Sequence, residues 1–339
     1  MTELLSSLEN APRLLCEARL VPLQTHRFQP TGFPDLGAAA YGLPDGTQML
    51  LVESAQSVAN RLEAAVWDEA RGEPLACLEG MPYVEVSGPE GIVTNSILEA
   101  HRLNSPYILE GRDTSFLQML KEELGTEGTG AVDRSKLAAT VLRYDPNAVL
   151  HGVFLAKKDL AGGRHRMTRA LSGFIEAEGV RPAESGGVKN DRVDPGGDTS
   201  KGFGNVPFHR TEYVAKEIRA CFNLDLDLLR SYRLPGEALE FLVTLALFKV
   251  QRFLSRGMRL RTACDLEGLK GLRVDRPEGF EAPREADLAA RLPRLIEACA
   301  TAGLFAKPPV TTLSWTPKPA AKGRGKAKAA GEENGEADE

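Results

Sequence analysis

The segment ALEFLVTLALFKVQRFL, residues 238–254, restricts the fold more than any other part of this chain. Wound as a helix it has apolar side chains on nearly every side, so it must be buried on most of its circumference. Pro235-Gly236 punctuates the chain before it and Gly257 ends it. Its C-terminal end is basic, where the helix dipole favours cations. The apolar run around Leu242–Phe248 is too short to cross a bilayer, so what covers this helix is protein.

The segments around it supply that cover. Leu14–Leu23 alternates as a strand, and Met49–Val52 is a short apolar strand running into a helix capped by Ser54. On that helix Ala55, Val58, Leu62, Ala65 and Val66 share an apolar face, leaving Gln56, Asn60, Arg61 and Glu63 opposite. A largely helical insertion over about 70–148 follows. It has a capping box at Ser96 and Glu99, and helices begin after Asp113 and Asp133, the second ending near Pro146. Strand character returns at 151–156 and 167–180, with a turn at Ala161–Gly163, and again over about 212–226. MRLRTACDL reads as a final central strand with Arg259 and Arg261 on one face. The coarse order, strand, helix, strand, strand, helix, strand, predicts an α+β protein with a β-α-β-β-α-β core of ferredoxin-like or RRM type.

Between Glu184 and Phe208 lies a glycine-rich polar run carrying Lys189, Arg192 and Lys201. A loop of this length is functional or disordered, and its glycines and bases suit an anion. Beyond about Thr316 the low-complexity composition predicts disorder, so the folded unit is 1–315 and the tail 316–339. Five cysteines stand far apart without CxxC or Cys/His spacing, which indicates neither disulfides nor zinc. The N-terminus has no signal-peptide pattern, and the expectation is a cytoplasmic protein with no membrane partner.

The net charge of −5 hides local basic strips. Lys157, Lys158, Arg164, Arg166 and Arg169 cluster against only Asp159, and Lys249, Arg252, Arg256, Arg259 and Arg261 contain no acid. Such strips are either a solvated face or the footprint of a polyanion. In the expected core, Arg164, Arg166, Arg169, Lys189, Arg192, Lys201, Arg259 and Arg261 border one surface, which favours nucleic acid. MRLRTACDL lacks the aromatics with which RRM strands stack bases, so backbone tracking with little sequence preference is expected. No glycine run matches a P-loop. His101, His151, His165 and His209 have no local carboxylate or nucleophile at a spacing that selects for catalysis.

The blocks VESAQSVANRLE, TNSILEAHRLNSPYIL, HGVFLAKKDLAGGRHRMTRALSGFIEA, SGGVKNDRVDPGGDTSKGFGNVPFHRTEY and RGMRLRTACDLE resemble the backbone subunit of the subtype I-G (formerly I-U) CRISPR effector complex, of the RAMP superfamily. The resemblance covers most of residues 12–267. It implies a modified RRM core with helical insertions and a protruding thumb hairpin, here at about 184–207. It also implies head-to-tail copies along a guide RNA (crRNA), which is presented for pairing with target DNA in a Cascade-like antiviral ribonucleoprotein. The implied partners are a large subunit, a fused small-backbone and guide-processing subunit, and a recruited nuclease-helicase. No cofactor, metal or catalytic residue is implied.

Together with the basic strips, the resemblance gives an RNA-binding set of Arg27, Ser54, Gln56, Asn60, Arg61, Lys157, Lys158, Arg164, Arg166, Arg169, Lys189, Asn190, Arg192, Lys201, His209, Arg210, Arg259 and Arg261. Val188 or Val193 is expected to wedge against a splayed base. Related helices carry more bases than this one, where Ala59 and Asn60 stand at positions that could be basic. The alternative is a RAMP-family RNA endonuclease using His151, His209 or Asp35. A third reading is a protein-interaction module whose basic strips bind acidic partners.

Overall fold

The computed structural model describes residues 3–33, 37–125, 132–256 and 258–316. Asp35, Gly257 and nearly all of the tail, residues 317–339, lie outside them. The main sheet is built from β1 (Arg13–Pro22), β2 (Gln48–Glu53), β7 (Leu171–Glu178), β10 (Glu217–Asp225), β11 (Met258–Arg261) and β12 (Cys264–Gly268). Its order is β11-β12-β1-β10-β7-β2, closed at the far edge by Ala40–Gly42, and every adjacent pair is antiparallel. A further strand, β13 (Arg273–Arg276), also pairs with β1.

Alternation decides which face is buried. Leu14, Cys16, Ala18 and Leu20 of β1 point inward with Leu171, Ile175 and Ala177 of β7 and Ile218, Ala220, Phe222 and Leu224 of β10. Gly173 sits opposite Phe222 in register, and a Cβ there would meet the Phe222 ring at 2.7 Å. Two helices cover this face. On α1 (Ala55–Ala64), Ser54 accepts from the Ser57 N–H as the N-cap. On α5 (Gly236–Ser255), every residue from Phe241 to Val250 is buried. The helix α6 (Glu285–Thr301) packs along α5, and Phe253 of α5 meets Phe222 edge to face at 6.4 Å.

The other face of the sheet is open, and its charges are matched among themselves. Arg19 pairs with Glu217 at 2.8 Å, Arg219 with Glu178 at 2.9 Å, and Arg273 with Glu17. It is not a basic surface.

Several local expectations change. MRLRTACDL is not a central strand: it is the tight β11–β12 hairpin at the sheet edge, and β10 takes the centre. The segment 151–156 forms the end of α4 (Pro146–His151) and then β5 (Val153–Leu155). Among the described residues this pairs with β6 (His165–Met167), off the main sheet. The insertion is not purely helical. Beside α2 (Ser115–Leu124) and α3 (Arg134–Tyr144) it holds β3 (Tyr83–Gly88) and β4 (Gly91–Asn95), and β14 (Val310–Ser314) joins β3 in parallel. Ser96 does not open a helix: Asn95 Oδ1 accepts from the Ile97 and Leu98 N–H groups and holds a turn. Glu99 accepts from the hydroxyls of Thr94 and Ser105.

The glycine-rich run is the outer part of a hairpin, with strand at 184–189 and 206–208 and a long turn over 190–205 between them. β8 (Arg181–Lys189) and β9 (Val206–Val214) pair over their full length as a hairpin that prolongs β7 and β10. Eight residue steps carry its tip about 27 Å from its base. The stretch 212–226, expected as one strand, breaks at Ala215–Lys216 between β9 and β10.

A buried ionic cluster fills the space between α1, the insertion and α5. Glu63 accepts from Arg102 at 2.6 and 2.9 Å, Arg102 also donates to the Gly152 carbonyl at 3.1 Å, and Lys249 Nζ lies 2.9 Å from His151 Nε2. Glu63 is therefore not on the solvent face of α1, and Ala59 is buried as well. Burial pushes Lys249 down to about 7, against the opposing pull of Glu63 and Asp145. Burial also raises Asp145 to about 6, with Glu63 adding to it, and lowers His151 well below 6.5. Above pH 7 the unfolded chain therefore holds a proton at residue 249 that the folded one has released, up to the ordinary lysine value. The cost of burying Lys249 shrinks as pH rises through that window, while Asp145 and His151 titrate below it. In denaturant melts from pH 7 to 9.5, the wild type should gain stability relative to Lys249→Met. Parallel curves for the two proteins would refute this.

Candidate nucleic-acid interface

The main sheet curls until its two edges approach one another, and the predicted basic residues of α1 and β11 meet at that seam. Segment 28–31 spans the gap. The Gln29 N–H donates to the Ala263 carbonyl (2.8 Å) beside β11 and β12, and the Thr31 N–H donates to the Val52 carbonyl (3.2 Å) on β2. Phe28 exchanges backbone hydrogen bonds with Tyr213, which fixes the root of the β8–β9 hairpin to the same place.

Glu53, at the end of β2 and 1% exposed, is the centre of the seam. Its carboxylate accepts from Arg61 Nε at 3.2 Å, from Arg261 Nη2 and from the Ser57 hydroxyl. Arg61 reaches on to the carbonyls of Arg259 (3.5 Å) and Leu260 (2.5 Å), and Arg261 to the carbonyl of Gln29 (3.0 Å). Arg210 donates to Gln29 Oε1 (2.9 Å) and to the Thr262 carbonyl (3.1 Å), and Arg27 pairs with Glu212 at 3.2 Å. At the other end of the row, Arg169 donates to the Ala55 carbonyl (3.0 Å) and to Gln56 Oε1 (2.9 Å). Gln56 in turn donates to Asn60 at 3.2 Å. Arg261 also fronts a groove of about 550 Å³ lined by Gln29, Thr31, Thr211 and Tyr213.

The structure thus gathers Arg27, Gln56, Asn60, Arg61, Arg169, Arg210, Arg259 and Arg261 into one strip from the start of α1 to the hairpin root. Ser54 is spent on its cap. Arg61, Arg169, Arg210 and Arg261 give part of their five donors each to protein acceptors, so their inner edges are fixed. Arg259 stands out at 76% exposed, 3.8 Å from Asp265.

The remaining predicted residues are elsewhere, so the single surface expected from the sequence divides. Lys157, Lys158, Arg164 and Arg166 belong to the β5–β6 hairpin. There Lys157 pairs with Glu110 at 2.5 Å, Arg164 donates to the Ala161 carbonyl at 2.8 Å, and Arg166 lies over the Phe154 ring at 4.5 Å. Lys189, Asn190, Arg192 and Lys201 sit at the far tip of β8–β9, and His209 is midway along it, 2.7 Å from Glu184. The tip is a built turn: Asp191 accepts from the N–H groups of Val193, Asp194 and Gly204. Those bonds hold the Asp191 carboxyl below the usual aspartate range. Val193 projects from it, 95% exposed, with Val188, Phe203 and Phe208 also open to solvent. Gly187 faces Phe208 across the hairpin and lets the ring lie over the strand, 3.2 Å from where a Cβ would be.

Sequence reasoning missed Glu53 and Gln29. An acid after an apolar strand and a glutamine in a polar stretch both look like solvent-facing residues, and no local pattern reveals that they join two sheet edges. Among the described residues no group of three or more His, Cys, Asp or Glu is placed to hold a metal ion, and no helix is long and apolar enough to cross a membrane.

These features define an α+β protein with a curled antiparallel sheet, a cationic seam and a projecting hairpin. Residues 14–182, just under half of the chain, match the family described as CRISPR-associated protein GSU0053, and over that span the chain is similar to CRISPR-associated proteins. Among solved structures it is similar to a chain of a "CRISPR RNA-guided surveillance complex, pre-nicking" at 13% identity, covering 86% of this chain and 89% of that one with a TM-score of 0.42. It is also similar to Csc2 of Thermofilum pendens at 9% identity, covering 86% and 77% with a TM-score of 0.32. No curated protein matches.

Proposed function

We propose that this chain is a guide-RNA-binding backbone subunit of a subtype I-G CRISPR effector complex, and that it is a scaffold in the cytoplasm, not an enzyme. Copies assemble head to tail along crRNA and present it for pairing with target DNA. The other subunits and a recruited nuclease-helicase complete the assembly. A heterologous contact of this kind propagates into a helical filament. Sequence readout falls to base pairing, so the protein needs to hold only shape and phosphate. We read β1, α1, β7, β10, α5 and β12 as the β-α-β-β-α-β core of the RAMP superfamily.

One observation carries the nucleic-acid part of this reading. In a chain whose first half matches a CRISPR-associated family, a strip of arginines with fixed inner edges leads to the root of a hairpin tipped by Lys189, Arg192 and Lys201. Planar guanidinium groups held this way suit backbone phosphates. The endonuclease alternative loses one of its bases, because His151 is buried against Lys249.

The test is incubation of the purified protein with labelled guide RNA, with and without a divalent metal, with particle mass followed as RNA length increases. Intact, protected RNA and a mass that grows with RNA length are expected. Discrete fragments lost in His209→Ala would establish the nuclease instead, and no binding at low salt would leave the protein-interaction reading.

A further inference from the structure

Glu53 presents a conflict that the proposed function does not resolve: it is a fully buried carboxylate in the middle of a strip read as binding a polyanion. By charge alone it weakens that strip. Its geometry gives it another role. Two arginines from the two sides of the seam, Arg61 of α1 and Arg261 of β11, converge on its two oxygens, Arg61 on Oε1 and Arg261 on Oε2. Each then uses another nitrogen on a backbone carbonyl across the seam, Leu260 for Arg61 and Gln29 for Arg261. Both guanidinium planes are thereby fixed, and each keeps at least two N–H donors unused by these contacts. Arg61 and Arg261 are 28% and 23% exposed, so an outer edge of each remains open to a ligand.

Resting on the RNA-binding reading, we propose that Glu53 is a positioning residue for RNA binding: it clasps Arg61 and Arg261 as a rigid pair whose outer edges receive the phosphates of the bound strand. Long basic side chains normally lose rotamer freedom when they bind a phosphate. A clasp that orders them during folding removes that loss from the binding step. Glu53 touches no RNA in this arrangement and acts entirely through the two arginines.

The two accounts of Glu53 predict opposite signs. If local potential alone matters, Glu53→Gln removes a negative charge beside a polyanion site and tightens binding. If Glu53 positions the arginines, the same change weakens RNA binding by about tenfold, the cost of ordering two long side chains on binding. The number of phosphates engaged is the same, so the salt slope stays as in the wild type. Arg261→Lys keeps the charge but cannot bridge Glu53 and the Gln29 carbonyl in the same plane, and it should weaken binding similarly.

The experiment measures the affinity of the full chain for a labelled guide RNA across a salt series, for the wild type, Glu53→Gln and Arg261→Lys, with a thermal melt of each. Weaker binding in both variants at an unchanged slope is the expected result. Equal or tighter binding by a normally folded Glu53→Gln overturns the proposal. Should Glu53→Gln melt early, wild-type affinity in Arg261→Lys overturns it instead. A wild type that binds no RNA defeats the RNA-binding reading itself, an outcome distinct from the failure of Glu53 alone.

Discussion

Replacing Arg102 by methionine should destabilise the protein by about 3–5 kcal/mol, because it leaves Glu63 buried without its counter-charge. Arg102 meets both oxygens of Glu63 and a backbone carbonyl, and both side chains are nearly inaccessible to water. The residues belong to different parts of the fold, α1 and the insertion, so the pair also fixes how one sits on the other. The double variant Glu63→Gln/Arg102→Met should recover a large part of the loss, since residue 63 then carries no charge that needs a partner. Urea or guanidinium melts of the two variants measure this. A loss below about 1 kcal/mol for Arg102→Met would mean that the pair behaves like a surface ion pair.

At the hairpin tip, changing Lys189, Arg192 and Lys201 together to alanine should weaken RNA binding across unrelated sequences. It should also flatten the salt slope by about 2, since each phosphate of a single strand that is no longer neutralised lowers the slope by about 0.7. The tip is about 27 Å from the seam by strand rise, so the loss should add to that of a seam variant instead of overlapping it. All three residues are exposed at the tip, Lys189 at the end of β8 and Arg192 and Lys201 in the turn held by Asp191, so stability should be unchanged. Filter binding or fluorescence anisotropy over a salt series reads the slope. An unaltered slope would exclude the tip from the RNA path.

How far the sequence could be read depended on whether the deciding contacts were local. The Ser54 cap, the strand before it and the all-round burial of α5 follow from neighbours a few residues apart. The hairpin was harder, because Gly186 and Gly187 look like loop residues until Phe208 is seen lying across one of them. MRLRTACDL alternates convincingly, but alternation does not say whether a strand is central or at an edge, and the edge position is what places Arg261 beside Glu53. Glu63 and Lys249 have the side chains of exposed residues on their helices, and only the partners Arg102 and His151, brought from elsewhere in the chain, explain their burial. The basic residues themselves were identifiable. Their division among seam, tip and the β5–β6 hairpin was not, since it is set by pairings of long sequence separation.

Beyond its tie to Phe28 at the seam, the β8–β9 hairpin is carried by the sheet: its two strands are the outward continuation of β7 and β10, with only Gly179–Val180 and Ala215–Lys216 between. At that junction the Lys216 N–H donates to the Glu178 carbonyl at 3.0 Å and the Val180 N–H to the Gln48 carbonyl at 3.1 Å. The arm is therefore a cantilever rooted in the middle of the sheet. A load at Val193 is carried along two hydrogen-bonded rails into the strands that hold Phe222 and Ile175, so the attitude of the tip is governed by the packing of the protein's own centre.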